Sequence, residues 1–297
     1  MGLEITLKDV FKVYKLGKIE VQALRGLSAH IMDGEIVSII GPSGSGKTTL
    51  LNLIGGLDRP TAGSIIVGEI EVSRLSSREL TEYRRRNIGY IFQNLNLIPT
   101  LTALENVELP MIALGLPRGE RVERARQLLD VVGLSHRMRH KPDELSGGEQ
   151  QRVAIAAALA NDPPVILADE PTGELDTLNA RLITEYLVKV SRDFKKTTVI
   201  VTHDPNVARA ADRIMKIEDG SIKEVLTPSN FDLSTSAFSY IDQIKARLHD
   251  LDMELNELDE MFRKSKISGE EYMNRRTRLL NIKMGLQEEL HRAGAVT

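Results

Sequence analysis

No cysteine and no tryptophan occur among the 297 residues, and aromatic side chains make up only 4% of them. Without thiols the chain can form neither a disulfide nor a thiolate metal centre, so it needs no oxidising compartment and fits a cytosolic setting. An excess of one charge is also missing: 39 Lys and Arg oppose 42 Asp and Glu, leaving a formal net charge of -3. That balance gives no global pull towards nucleic acid or an anionic membrane and leaves only local patches to consider. Long apolar runs are absent too. Runs such as 36–40 and 165–168 fall far short of the ~20 residues of a membrane-spanning helix and read as buried strands. The opening Met1-Gly2-Leu3-Glu4 leads straight into an alternating pattern, with no basic segment and apolar stretch of the signal-peptide kind. Gly2 and Thr6 match the minimal N-myristoylation pattern, but so short a match, with Thr6 inside a strand pattern, reads as coincidence.

What is present is punctuated periodicity. Strand patterns cover 8–14 and 23–31, and a third, 35–40, runs into a glycine-rich turn and a helix opening near Lys47. Further apolar strands at 88–92, 165–168 and 197–201 alternate with helical or polar segments, which predicts an α/β core with a mostly parallel sheet. Between about 95 and 160 the pattern turns helical, as in a helical subdomain inserted into that core. A last strand-like stretch, 213–225, contains a hairpin signal at Asp219-Gly220. The chain then becomes polar and turn-prone at 227–230, which places a boundary between a domain at 1–228 and a segment at 229–297.

That final segment has its own signature. Ile241, Ile244, Leu248, Leu251, Leu255, Leu258 and Phe262 recur in steps of three and four, one continuous seam on a helix. Ser268 and Glu271 offer a capping box for a second helix that carries Tyr272, Leu279 and Leu286, with Gly285 weakening its later part. The short link at 263–267 allows the second helix to fold back, so an antiparallel helical hairpin is expected. Its faces mix both charges, which disfavours membrane or nucleic-acid binding. Self-association, partner docking and a passive solubilising role all remain open for it.

Two clusters carry chemistry. Gly41-Pro42-Ser43-Gly44-Ser45-Gly46-Lys47-Thr48, extended by Thr49, matches the eight-residue phosphate loop in the strand-to-helix context it requires. Its glycines let backbone N–H groups turn towards the phosphates of ATP, Lys47 supplies a mobile charge for the β and γ phosphates, and Thr48 can coordinate Mg²⁺. A plain glycine-rich turn would have no use for Lys and Thr at these positions. The strand at 165–168 ends in Asp169 and Glu170. Unpaired core carboxylates are costly, whereas at a strand's carboxyl edge Asp169 can orient Mg²⁺ and Glu170 can polarise the attacking water.

Leu145-Ser146-Gly147-Gly148-Glu149-Gln150 resembles the signature of ABC transporter ATPases and stands in that family's order between the phosphate loop and Asp169-Glu170. The resemblance covers about 1–226 and implies a P-loop NTPase core of ABC type. In that family Ser146, Gly147 and Gly148, with Glu149 in the same motif, serve the nucleotide of the opposite subunit. It further implies that Tyr14 stacks on adenine, that Gln93 senses nucleotide and reaches the metal, that Asp176 in Glu174-Leu175-Asp176 lies at the inter-subunit loop, and that His203 contacts the γ-phosphate. The text at 94–107 and 203–208 looks like the lipoprotein-release, macrolide-export and cell-division group, which places a permease-contact surface near 93–105. Ala157 departs from that group, where Arg is common, and the helices beyond 230 are absent from its minimal subunit. The resemblance thus implies an ATPase that works as a pair with a second ABC subunit, at the inner face of the cell membrane, on a separately encoded permease. A mechanotransmission-type exporter or a lipoprotein- or macrolide-type ABC system is expected, with no nucleic-acid partner. The alternatives are a soluble ABC ATPase acting on nucleic acid or ribosomes, which usually shows two cassettes or basic elements, and an ATP-binding scaffold, which Glu170 and His203 disfavour.

Overall fold

The computed structural model describes residues 2–16, 19–173, 175, 177–231, 240–264 and 267–292. The chain divides into two units, Met1–Phe231 and Asp232–Thr297. In the first, β1 (Ile5–Leu16) and β2 (Ile19–Ile31) pair antiparallel, and β4 (Ala62–Val67) and β5 (Ile70–Glu71) extend them into a sheet ordered β2-β1-β4-β5. A second sheet combines β3 (Ile36–Ile40), β6 (Ile88–Ile91), β7 (Val165–Asp169), β8 (Thr197–Val201), β9 (Arg213–Glu218) and β10 (Ser221–Leu226) in the order β10-β9-β3-β8-β7-β6. All its pairs are parallel except the β9–β10 hairpin. This is the expected parallel sheet. The separate antiparallel sheet was not legible in the sequence, because Ile5 of β1 faces both Ile31 and Val67, partners far from it along the chain.

β3, β7 and β8 are buried at every position, as befits a parallel sheet covered on both faces. Their alternate residues go to different cores. Val37, Ile39, Val165, Leu167, Val199 and Val201 pack with β1, β2, β4 and helix α1 (Lys47–Ile54). Ile36, Ile166, Ala168 and Ile200 pack with the helices on the other side. That period of two is what a pleated strand imposes.

α2 (Ser77–Asn87) precedes β6, and the helical region follows it as α3 (Ala103–Ala113), α4 (Arg118–Val131) and α5 (Gly147–Ala158). α3 starts where a sequence reader would place it, because Thr102 and Glu105 close a reciprocal capping box. α6 (Thr177–Asp193) and α7 (Pro205–Arg209) complete the unit. Asp219 and Gly220 make the β9–β10 turn with φ of 49° and 74°, both in the left-handed region that such two-residue hairpins require.

In the second unit α8 (Tyr240–Arg263) and α9 (Gly269–Arg292) pack together. The Tyr272 hydroxyl donates to Asp259 at 2.8 Å, the Phe262 and Tyr272 rings stack at 4.3 Å, and Lys283 pairs with Asp252. Rising numbers in α8 meet falling numbers in α9, so the pair is antiparallel. Ser268 caps α9 by accepting from the Glu271 N–H at 3.2 Å, and the helix continues through Gly285. Leu251 and Leu258 are buried and Leu248 and Leu255 half-buried, whereas Phe262 is 41% exposed. The side chains of Ile241 and Ile244 lie outside the described residues.

Candidate active site

The carboxyl ends of the parallel strands coincide. Ile39 of β3 and Asp169 of β7 both pair with Val201 of β8, and Ile91 of β6 pairs with Ala168. The segments that follow, 41–49, 93, 170 and 202–203, therefore emerge along one edge, where open α/β sheets place ligands.

The loop at 41–46 bends from β3 into α1 with Gly46 at φ 101° as N-cap. A β-carbon on Gly46 would stand 2.5 Å from the Ala23 carbonyl, and one on Gly41 would stand 2.1 Å from the Ile217 carbonyl. Neighbouring backbone thus fits the loop so closely that only glycine is accommodated at either position. The Asp219-Gly220 turn buttresses it from outside: the Gly220 N–H donates to the Ser45 carbonyl at 3.1 Å while the Gly220 carbonyl accepts from the Arg25 N–H at 2.9 Å. Ser43 and Gly44 are exposed at the tip. Two groups inside the loop have no settled purpose in the fold. The Ser45 hydroxyl is buried without a hydrogen-bond partner, and Lys47 bends back to donate to the carbonyls of Gly41 and Pro42 at 2.8 and 2.9 Å. A buried orphan hydroxyl and a folded-back ammonium at a helix N-terminus fit a phosphate chain.

Across the edge, Thr48 donates to the Asp169 carboxylate at 3.1 Å. Burial pushes the Asp169 carboxyl pKa up and the neighbouring Glu170 charge adds to this, against the opposing pull of Thr48 and Lys47. Glu170 leaves the strand with φ 45°, a conformation costing a non-glycine residue on the order of 1–2 kcal/mol. It is held there by its N–H donating to the Val201 carbonyl at 2.9 Å. Its carboxylate accepts from the His203 N–H at 3.2 Å and from His203 Nδ1 at 2.8 Å. The Glu170 hydrogen bond is the main reason that the His203 imidazole pKa lies above its usual value.

Ser146, Gly147, Gly148 and Glu149 stand elsewhere, at the N-terminus of α5. The Ser146 hydroxyl accepts from the Glu149 N–H at 3.3 Å, and the Glu149 carboxylate accepts from the Ser146 N–H at 2.8 Å and from Arg137 at 3.2 Å. The Ser146 N–H is the leading cause of a Glu149 pKa below the ordinary carboxylate range. Ser146 and Gly147 are exposed, whereas a β-carbon on Gly148 would meet Asn179 Oδ1 at 2.7 Å. Gln93 is exposed just past β6. Tyr14 is half-buried on β1, and its hydroxyl donates to the Asp58 carboxylate at 2.8 Å. Glu174 and Asp176 lie outside the described residues.

Sequence reading passed over several residues that shape this edge. Lys12 and Asp58 surround Tyr14, Arg137 holds Glu149, and buried Asn106 ties down the loop before α3. Asn106 accepts from the Ile98 N–H at 2.8 Å and donates to the carbonyls of Ile98, Leu101 and Thr102. An asparagine eight residues from its loop partner has no spacing rule to announce it.

A family profile described as ABC transporter matches residues 24–173. The chain belongs to the ABC transporter family. It is an ATP-binding cassette and an ATPase of that family. An uncharacterized ABC transporter ATP-binding protein of Thermotoga maritima is 54% identical over 219 residues, 74% of this chain and 93% of the relative. The lipoprotein-releasing system ATP-binding protein LolD of Bacteroides thetaiotaomicron is 48% identical over 204 residues, 69% of this chain and 94% of the relative. Among solved structures, the ATP-binding cassette MJ0796 of Methanocaldococcus jannaschii, a dimer in a post-hydrolysis state with ADP and Pi, aligns with a TM-score of 0.71 at 48% identity. The alignment covers 76% of this chain and 100% of that one, so about a quarter of this ABC chain has no counterpart there. Among the described residues no helix is long and apolar enough to cross a membrane.

Proposed function

We propose that residues 1–228 form the nucleotide-binding domain of a transporter in which two cassettes close over ATP and drive a separately encoded membrane permease of the lipoprotein-release or macrolide-export kind. The observation that carries the catalytic part is the convergence of Lys47, Thr48, Asp169, Glu170 and His203 on one sheet edge. In this reading Gly41 to Thr49 wrap the phosphates, and Lys47 exchanges its two loop carbonyls for phosphate oxygens. The Ser45 hydroxyl gains the partner it lacks. Tyr14 lies against adenine.

Thr48, Asp169 and Gln93 offer hard oxygen donors of the kind Mg²⁺ takes, and the first two already approach to 3.1 Å. Bound Mg²⁺ would neutralise charge on the β and γ phosphates. Glu170 orients the attacking water and accepts its proton, once His203 turns its Nδ1–H from the carboxylate towards the γ-phosphate. Ser146, Gly147 and Gly148, with Glu149 holding the cap, face the nucleotide of the second cassette, and Asp176 belongs to the loop between them. The dimeric state of MJ0796 supports such pairing, and the likeness to LolD supports a permease partner and a place at the cytoplasmic face of a membrane.

Replacing Glu170 with Gln preserves size and removes the base. ATP binding should persist, turnover should fall below about a tenth of the parent, and light scattering should show a dimer that outlasts the parent's. Turnover above that level would remove Glu170 from the role of principal carboxylate.

A further inference from the structure

Asp58 follows α1 in a turn, carries no motif of its own, and is where three donors meet. Its Oδ1 accepts from Lys12 Nζ at 2.7 Å and from the Arg59 N–H at 2.7 Å, while its Oδ2 accepts from the Tyr14 hydroxyl at 2.8 Å. Lys12 also donates to the Arg59 carbonyl at 2.8 Å, and its ammonium lies 4.7 Å from the centroid of the Tyr14 ring. With the Lys12 side chain 11% exposed and that of Asp58 32% exposed, the ammonium is largely fenced from water by the groups it binds. Burial alone would raise the Asp58 pKa, yet Lys12, the Arg59 N–H and Tyr14 together hold it below the usual range, so the carboxylate is charged.

The geometry has a direct consequence for the ring. A phenol on a strand near a hairpin tip can swing about two side-chain torsions, and each accessible orientation lost on binding a base subtracts from affinity. Here the hydroxyl is tethered and one ring face carries a cation, so a base can stack only on the other face. The tether also reaches the phosphate site. Asp58 lies four residues beyond α1, and the Leu57 and Asp58 N–H groups both donate to the Asn52 carbonyl of α1, at 2.9 and 3.2 Å. The helix that begins at Lys47 thus anchors the residue that orients Tyr14.

We infer that Asp58, with Lys12, is a positioning residue for adenine: it fixes the Tyr14 ring as a preformed stacking platform, and so contributes to the base part of ATP recognition but not to the phosphate part. This rests on the assignment of Tyr14 to adenine. It assigns to Asp58 a share of specificity for purine nucleotides over bare polyphosphate, exercised through the ring and without touching the nucleotide.

The test separates base from phosphate. Affinities for ATP and for inorganic tripolyphosphate, both with Mg²⁺, are measured calorimetrically for the full chain and for Asp58→Asn, Tyr14→Phe, the double variant and Tyr14→Ala. Asp58→Asn should weaken ATP about 5- to 10-fold and tripolyphosphate less than about 2-fold, with KM for ATP raised and kcat within about 2-fold of the parent. Because Tyr14→Phe removes the same hydrogen bond while keeping the ring, the double variant should be no worse than the more damaging single one. Equal loss of ATP and tripolyphosphate affinity in Asp58→Asn, or fully additive losses in the double variant, overturns the inference in favour of a general structural role. Unchanged ATP affinity in Tyr14→Ala brings down the adenine assignment and this inference together. A loss in Tyr14→Ala with none in Asp58→Asn brings down only the role of Asp58.

Discussion

The two units of the chain are held together over different distances in sequence. In Met1–Phe231 the hydrogen bond between Thr48 and Asp169 joins positions 121 residues apart, and Glu170 meets His203 across 33. In Asp232–Thr297 the bond from Tyr272 to Asp259 spans only 13 residues and that from Lys283 to Asp252 spans 31. In the first unit two hydrophobic cores carry most of the fold and position the groups of the site. In the second, the interactions between α8 and α9 are the structure itself. Altering a side chain should therefore separate function from stability in the first unit and should not in the second.

The sharpest break concerns Asp169. Its carboxyl pKa is raised chiefly by burial, so the charged form is disfavoured in the folded chain. A raised folded pKa contributes stability that is present below the unfolded value and lost as pH rises through the folded one, so at neutral pH the ionised Asp169 detracts from stability. Asp169→Asn should abolish turnover by several orders of magnitude yet melt no lower than the parent in Mg²⁺-free buffer at pH 7.5, and higher if the Thr48 bond survives. A lowered melting temperature with the turnover loss would show that Asp169 is part of the scaffold.

In the second unit the expectation is reversed. Leu251 and Leu258 are buried at 0% and 3% exposure and stand seven residues apart on α8. Replacing both with Ala removes apolar burial worth about 2–5 kcal/mol each, more than a two-helix unit can lose. Hydrogen exchange should show 240–292 losing protection while ATP affinity stays within about 2-fold of the parent. A large loss of ATP affinity would mean that the units are energetically coupled. Any truncation meant to sharpen this test should keep Phe231, which is buried with Ile40, Ala208 and Ile214 and whose carbonyl accepts from Arg209.

These spans also decide what could be read without coordinates. The loop from Gly41 to Thr49 was legible because its strand, glycines and helix are contiguous, and β3 and α1 begin and end around it as the pattern requires. The Asp219-Gly220 hairpin and the helix α8 were legible for the same reason. Turn chemistry and periodicity are local signals. The antiparallel sheet was not, since pairing Ile5 with both Ile31 and Val67 depends on tertiary packing. Nor were Lys12 and Asp58, 46 residues apart, or the way the hairpin turn at Gly220 braces Ser45. The motif residues could be named from order along the chain, but the residues that hold them in place are set by contact.

The smallest expected effect probes the boundary of the first unit's rule, where a site residue does add stability. His203 and Glu170 pair at 2.8 Å, and the imidazole pKa is raised first by that hydrogen bond and further by the Glu170 charge. A raised folded pKa means that the protonated imidazole stabilises the folded chain, fully below the unfolded value of about 6.5 and progressively less as pH climbs through the folded value. The His203 side chain is 46% exposed, so solvent screens the pair and its worth stays below about 1 kcal/mol. The melting temperature of the parent should exceed that of His203→Asn by a degree or two at pH 6, and the gap should shrink as pH rises through the folded value. Raising the salt to about 1 M should shrink the gap at pH 6, because the attraction is between two partly solvated charges. A gap that widens with pH would instead mean that neutral imidazole is the form bound to Glu170.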